Sequence, residues 1–127
     1  MSLLESGENY LEAILMVSEK QKDVHAIDIV NELNFSKPSV SIMLKKLKDE
    51  GYIEIDEHSH ITLTDKGFPI ANKIYERHKV LTQILLDLGL PETIAEEDAC
   101  KIEHDLSPET FEAIKKAAIK LHEKVSK

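Results

Sequence analysis

Cys100, Glu103 and His104 bring a thiol, a carboxylate and an imidazole to positions i, i+3 and i+4. If the segment opened by Pro91 is helical, this spacing turns all three to one side, with Glu96 one turn earlier. Such donors suit a divalent transition metal. Three of them leave coordination positions open. Asn9 and Glu12, three apart near the start of the chain, are candidates to fill those positions if their helix packs nearby, and His78 is another. The same C-x-x-E-H spacing also fits a partly buried thiol beside a solvated Glu103 and a surface His104. Cys100 is the only cysteine, which excludes an intrachain disulfide and leaves the thiol structural, reactive or a ligand.

A different chemistry lies between Lys37 and Lys48. Four lysines (Lys37, Lys45, Lys46 and Lys48) stand there without an acid, in a chain whose net formal charge is −8. A phosphate backbone attracts lysine and repels carboxylate, so the local distribution counts for more than the sum. Ser36-Lys37-Pro38 predicts a helix start, with Ser36 as cap and Pro38 in a first turn that donates no backbone hydrogen bond. Val40, Met43, Leu44 and Leu47 then share an inner face, and Pro38, Ile42 and Lys45 lie outside. On that outer side Ser36, Ser39 and Ser41 are candidates to donate to phosphates, with Lys37, Lys45 and Lys46 supplying charge. Pro38 and Ile42 are candidates to touch thymine methyls. A lysine-rich solvated face on an ordinary helical protein is the plainer account of the same stripe.

The elements that must hold these groups follow from periodicity. Leu11, Ile14 and Leu15, with Tyr10 and Val17 beside them, predict a first helix over about 5–20, its opposite stripe being Glu5, Asn9 and Glu12. Ala26, Ile29, Val30 and Leu33 predict a short second helix, and the lysine-bearing helix is the third. Gly51 ends it, and Ile53 and Ile55, then Ile61 and Leu63, predict a β-hairpin around a polar tip. A long helix is expected over about 66–88, lined by Phe68, Ala71, Ile74, Leu81, Ile84, Leu85 and Leu88. A fifth follows Pro91 with Ala95, Ala99, Ile102 and Leu106 on one face, and Ser107-Pro108 caps a sixth. The fold class is therefore mainly α with a small β-hairpin. Two short helices followed by a hairpin is the order of a winged helix-turn-helix, whose second helix enters the major groove of DNA. That domain is placed at residues 1–75, and a helical metal-binding and dimerisation domain at 76–127.

At 127 residues, with 42% hydrophobic and 31% charged side chains, the chain has the composition of a soluble protein with no run able to span a bilayer. Residues 1–8 carry neither the basic start nor the apolar stretch of an export signal, so a cytoplasmic location is expected. Apolar residues too many for one small domain point to a homodimer, with Ile84, Leu85, Leu88, Ile114, Ala118 and Leu121 as the candidate interface.

Several segments together resemble the diphtheria-toxin-repressor family of iron- and manganese-dependent regulators. They are Glu8-Asn9-Tyr10-Leu11-Glu12, Ser36-Lys37-Pro38-Ser39-Val40-Ser41, Arg77-His78 and the ten residues from Asp98 to Ser107. The resemblance implies that Cys100, Glu103 and His104 are ligands on the first helix of the dimer domain, and that Glu12 and His78 match ligands of the manganese branch. Asn9 stands where that family uses Asp or Met. Cys100 is similar to the iron branch, whereas the short form, without an SH3-like third domain, is similar to the manganese branch. A thiolate favours Fe(II), with Mn(II), Co(II), Ni(II) or Zn(II) as further activators. The expected activity is metal-gated repression of metal-homeostasis genes by a homodimer on a palindromic double-stranded operator. A metal joining the first helix to the fifth would set the spacing of the two recognition helices. Two alternatives are a MarR-like winged-helix regulator sensing a small molecule or oxidation through Cys100, and a small metalloenzyme. Against the enzyme stands the lack of an independent acid-base pair, a nucleophile-base spacing or a phosphate loop.

Overall fold

The structure is a computed structural model that describes residues 4–126, so the outermost residues of the two expected domains, 1–3 and 127, lie outside the described residues. The chain divides into two compact units, Met1–Tyr75 and Glu76–Lys127. Among the described residues no helix is long and apolar enough to cross a membrane.

The first unit holds α1 (Glu5–Lys20), α2 (Ala26–Leu33), α3 (Lys37–Asp49), β1 (Ile53–Ile55), β2 (Ile61–Leu63) and the start of α4 (Phe68–Asp87). Leu11, Ile14, Ile29, Val40, Leu47 and Ile53 are its most deeply buried side chains. Leu11 and Ile14 lie at helical spacing on α1, and Val40 and Leu47 on α3, so one apolar stripe from each helix meets Ile29 of α2 and Ile53 of β1 in the core. Asn34 closes α2 in the left-handed region (φ 58°), its N–H donating to Val30 O at 2.8 Å. Asn tolerates this conformation better than most residues with a Cβ, and here it makes the sharp turn into α3. β1 and β2 pair antiparallel with Ile53 opposite Leu63 and Ile55 opposite Ile61. Ile61 N–H also donates to Val24 O at 2.8 Å, which ties the hairpin to the segment leading into α2. The order is that of a winged helix-turn-helix, with the hairpin as wing.

Three hydrogen bonds fix the carboxyl end of α3. Gly51 takes φ 86°, which lets Tyr52 N–H reach back to Leu47 O at 2.9 Å. Thr64 Oγ1 donates to Gly51 O at 2.6 Å and Lys66 Nζ to Glu50 O at 2.8 Å, with the Lys66 ammonium 4.3 Å from the Tyr52 ring centre. Gly67 lies so close to this junction that a Cβ there would strike the Tyr52 carbonyl oxygen.

The second unit holds the rest of α4, then α5 (Glu92–Ile102) and α6 (Pro108–Val125). Ser107 caps α6, its Oγ accepting from Thr110 N–H at 3.1 Å. Leu81, Ala95, Ala99, Phe111 and Ala118 are buried, and so, against the usual habit of charged side chains, are Arg77 and Glu103.

Three sequence expectations need correction. The fifth helix ends at Ile102, so Glu103, His104 and Leu106 lie in the turn that follows, and Ile102 is 38% exposed. The cause is Arg77, whose guanidinium takes the carbonyls of Glu103 (3.1 Å) and Leu106 (2.7 Å). Glu12, placed on the polar stripe of α1, is buried. Leu88, expected to line the long helix, lies beyond its end and is 64% exposed, and Phe68 at its start is also exposed.

Candidate metal centre and nucleic-acid interface

In the second unit the buried Arg77 builds the turn between α5 and α6. It stands three residues after Ile74 and four before Leu81, both buried, so it occupies a core position of α4. Its guanidinium lies 5.3 Å from the Phe111 ring centre while holding the two turn carbonyls. Those bonds bring the Glu103 carboxylate inside, with no exposed surface.

His78, one residue further along α4, places Nδ1 3.0 Å from Glu103 Oε2. On the other side His104 Nε2 lies 3.5 Å from Glu103 Oε1, and the His104 side chain is 3% exposed. Among the described residues Oε1 has no hydrogen-bond partner. A buried carboxylate oxygen without a donor is costly, on the order of 1–3 kcal/mol or more for a charged group. A cation held between the carboxylate and the imidazoles removes that cost, so these residues fit a divalent metal.

The structure thus brings His78, Glu103 and His104 together within the second unit. Cys100 and Glu96 remain exposed. Ala99 accounts for this: it is fully buried, so Glu103, four residues on, follows it inward, whereas Cys100 is turned about 100° away. In the first unit Glu12 is buried on α1 and Asn9 is half-buried. Arg77 was not singled out as a site residue from the sequence alone. A charged residue on the apolar stripe of a helix was the available signal.

Of the candidate interface residues, Ile84, Leu85, Ile114 and Leu121 are half-buried and Ala118 is buried. Leu88 is exposed.

On α3 the division into faces is sharp. Val40, Leu44 and Leu47 are buried, while Ser36, Lys37, Pro38, Ser39, Ser41, Ile42, Lys45 and Lys46 are exposed. Ile42, 72% exposed, stands in the middle of that face without a packing role. Ser36 Oγ accepts from Ser39 N–H at 3.3 Å and donates to Ser39 Oγ at 2.9 Å. Capping therefore occupies the Ser36 hydroxyl, and Ser41 and the lysines keep outward-facing donors for a phosphate.

Residues 2–61 match the N-terminal DNA-binding domain of iron-dependent repressors, and residues 64–123 match their metal-binding and dimerisation domain. An HTH-type transcriptional regulator of Methanocaldococcus jannaschii is 39% identical over 123 residues, which cover 95% of this chain and 98% of that protein. The transcriptional regulator MntR of Escherichia coli O157:H7 is 33% identical over 108 residues, covering 85% of this chain and 70% of its own. Among solved structures, the manganese regulator SloR matches with a TM-score of 0.76 at 29% identity, over 91% of this chain and 54% of its own. The chain therefore spans about half the length of that solved regulator. With both halves matched and the buried His78, Glu103 and His104 cluster in the second, the chain belongs to the iron-dependent repressor family of metal-dependent, DNA-binding transcription regulators.

Proposed function

We propose that the protein is a homodimeric, cytoplasmic repressor of metal-homeostasis genes, activated by Fe(II) or Mn(II). The observation that carries this reading is the buried Glu103 carboxylate between His78 and His104, one oxygen of which has no hydrogen-bond partner among the described residues. The family resemblance adds Glu12 from α1; Asn9 departs from the Asp or Met that the family has there, and contributes its carbonyl oxygen or nothing. Two imidazoles and a carboxylate serve Mn(II) and Fe(II) alike; the thiolate of Cys100 shifts the preference to Fe(II) only if its side chain turns inward.

When bound, the metal supplies positive charge and directional bonds. Within the chain, Arg77 holds the turn so that Glu103 stays between its two histidines, and Glu103 in turn fixes the tautomer and orientation of His78. If Glu12 joins the donors, as the resemblance implies, metal occupancy becomes a constraint on the DNA-reading half. In a two-fold dimer that constraint sets the spacing of the α3 helices, which must meet half-sites about one helical turn apart on a palindromic operator. Ser39, Ser41 and Lys37 engage phosphates at the start of α3, Lys45 and Lys46 extend the basic stripe, and Ile42 reaches thymine methyls.

The test is fluorescence anisotropy of EDTA-stripped protein on genomic DNA fragments at fixed salt, with Fe(II), Mn(II), Co(II) or Zn(II) added back anaerobically. Specific binding is expected only with metal and is lost in Glu103→Gln. The metal ranking in Cys100→Ala against the parent shows whether sulfur joins the donors. Equal affinity in EDTA would leave an ungated winged-helix regulator and overturn the metal switch.

A further inference from the structure

The wing carries two of the six histidines, His58 and His60, in the turn between β1 and β2, and His25 stands beside them ahead of α2. The His25 and His60 rings meet edge to face with centres 4.7 Å apart, and the His58 and His60 rings lie 5.9 Å apart. His58 is exposed and the other two are half-buried. A groove of about 510 Å³ runs between the hairpin and the last turn of α3, with Glu54, Asp56, His60 and Thr62 on the wing side and Lys48 on the helix side.

Backbone groups, not the rings, close the wing turn. Asp56 Oδ1 accepts from the N–H groups of His58 (2.8 Å) and His60 (2.9 Å), and Ser59 takes φ 64° to complete it. The bond from Ile61 N–H to Val24 O keeps His25 beside His60. Carboxylates surround the rings: His60 Nδ1 is 3.4 Å from Asp56 Oδ2 and 3.9 Å from Asp23 Oδ1, His58 Nε2 is 3.5 Å from Glu57 Oε1, and His25 Nδ1 is 3.8 Å from Asp28 Oδ2. Against them stand Lys48 and, next to Asp23 in the chain, Lys22. The backbone N–H of His60, followed by that of His58 and the charges of both imidazoles, holds the Asp56 carboxyl below its ordinary range. It therefore stays ionised wherever an imidazole changes charge, and between about pH 5 and pH 8 the wing tip varies its charge through its histidines alone.

We propose that His58 and His60, when protonated, contact DNA phosphates, which makes the wing tip a proton-dependent part of the DNA interface. The inference rests on α3 as the helix that enters the major groove. Hydrogen bonds from Thr64 and Lys66 anchor the hairpin to the end of α3, so a duplex engaged by α3 brings the backbone bordering that groove beside the wing tip. With neutral rings, Asp23, Asp56 and Glu57 face a polyanion there, which is repulsive. Each proton taken up offsets one of those charges and turns a ring nitrogen into a donor for a charge-assisted hydrogen bond to a phosphate oxygen. Affinity for DNA therefore rises as pH falls from about 8 to about 6. Protons act in the opposite direction at the Glu103 centre, because imidazoles bind metal only when neutral.

The probe is a short duplex of arbitrary sequence, titrated by fluorescence anisotropy with the full-length protein in EDTA at low, fixed ionic strength, so that the metal centre takes no part. From about pH 8 to about pH 6 the affinity is expected to rise on the order of 10-fold, and the slope of log affinity against log salt to steepen by about one to two. In His58→Gln/His60→Gln the rise is expected to shrink to under about 2-fold. Imidazole 1H–15N spectra of the unaltered chain give a readout that needs no wing variant. Protons and DNA favour each other by the same factor, so duplex added at neutral pH is expected to move the His58 and His60 signals toward their acid positions and to leave the exposed His122 in place. No rise in the parent, a full rise in the double variant, or wing signals unmoved by duplex overturns the proposal. Lys45→Ala/Lys46→Ala should weaken binding at both pH values and keep the ratio between them, so a failure of α3 as the reading helix shows in that variant and not in the wing histidines.

Discussion

The outer face of α3 and the turn between α5 and α6 hold the two candidate chemistries, and they hold them in opposite ways. On α3 the lysines and Ile42 stand in solvent, and the helix would pack equally well without them. In the turn, Glu103 and His104 are inside, and the Arg77 that positions them also ties together the turn carbonyls. Function is separable from stability in the first region and entangled with it in the second. A loss-of-function variant therefore has to be read differently in each.

The variant expected to have the largest effect is Arg77→Met. Two carbonyls lose a charged donor, and stability should fall by about 3 kcal/mol in urea unfolding. An unchanged midpoint would mean that the turn holds its shape unaided. Glu103→Gln should separate what Arg77→Met mixes: the metal-induced gain in operator affinity drops by about 100-fold. Metal-free stability changes by under about 1 kcal/mol, because a neutral amide replaces an incompletely bonded buried charge. On α3, Lys45→Ala/Lys46→Ala should lower the slope of log affinity against log salt by about 2. Its unfolding should stay within about 0.5 kcal/mol of the parent, and a larger change would break the contrast between the regions. The caps sharpen it further. Ser36→Ala and Ser107→Ala should each cost about 1 kcal/mol, yet only the first should weaken DNA binding.

The caps also show what a sequence can carry. Ser36-Lys37-Pro38 and Ser107-Pro108 act over three or four residues, and both serines accept the expected N–H. The hairpin was legible for the same reason, since alternation at Ile53, Ile55, Ile61 and Leu63 is local. The exposed face of α3 could be read as soon as its apolar stripe was found. What escaped were consequences of contacts between residues far apart. Arg77 meets the turn across 26 and 29 positions, and this decides where α5 stops and that Glu103 is buried. Helical spacing put Cys100 with Glu103 and His104, but it could not say which of them would follow Ala99 inward.

The anchored carboxyl end of α3 has a thermodynamic consequence. With Gly51 O, Glu50 O and Leu47 O all taken by donors from the wing side, the recognition helix and the hairpin lose their independent motions when the chain folds. Little conformational entropy is then left to surrender on DNA, so the reading head docks as a rigid body. A ligand that regulates such a head gains little by reshaping it; its leverage lies in where two finished heads are held.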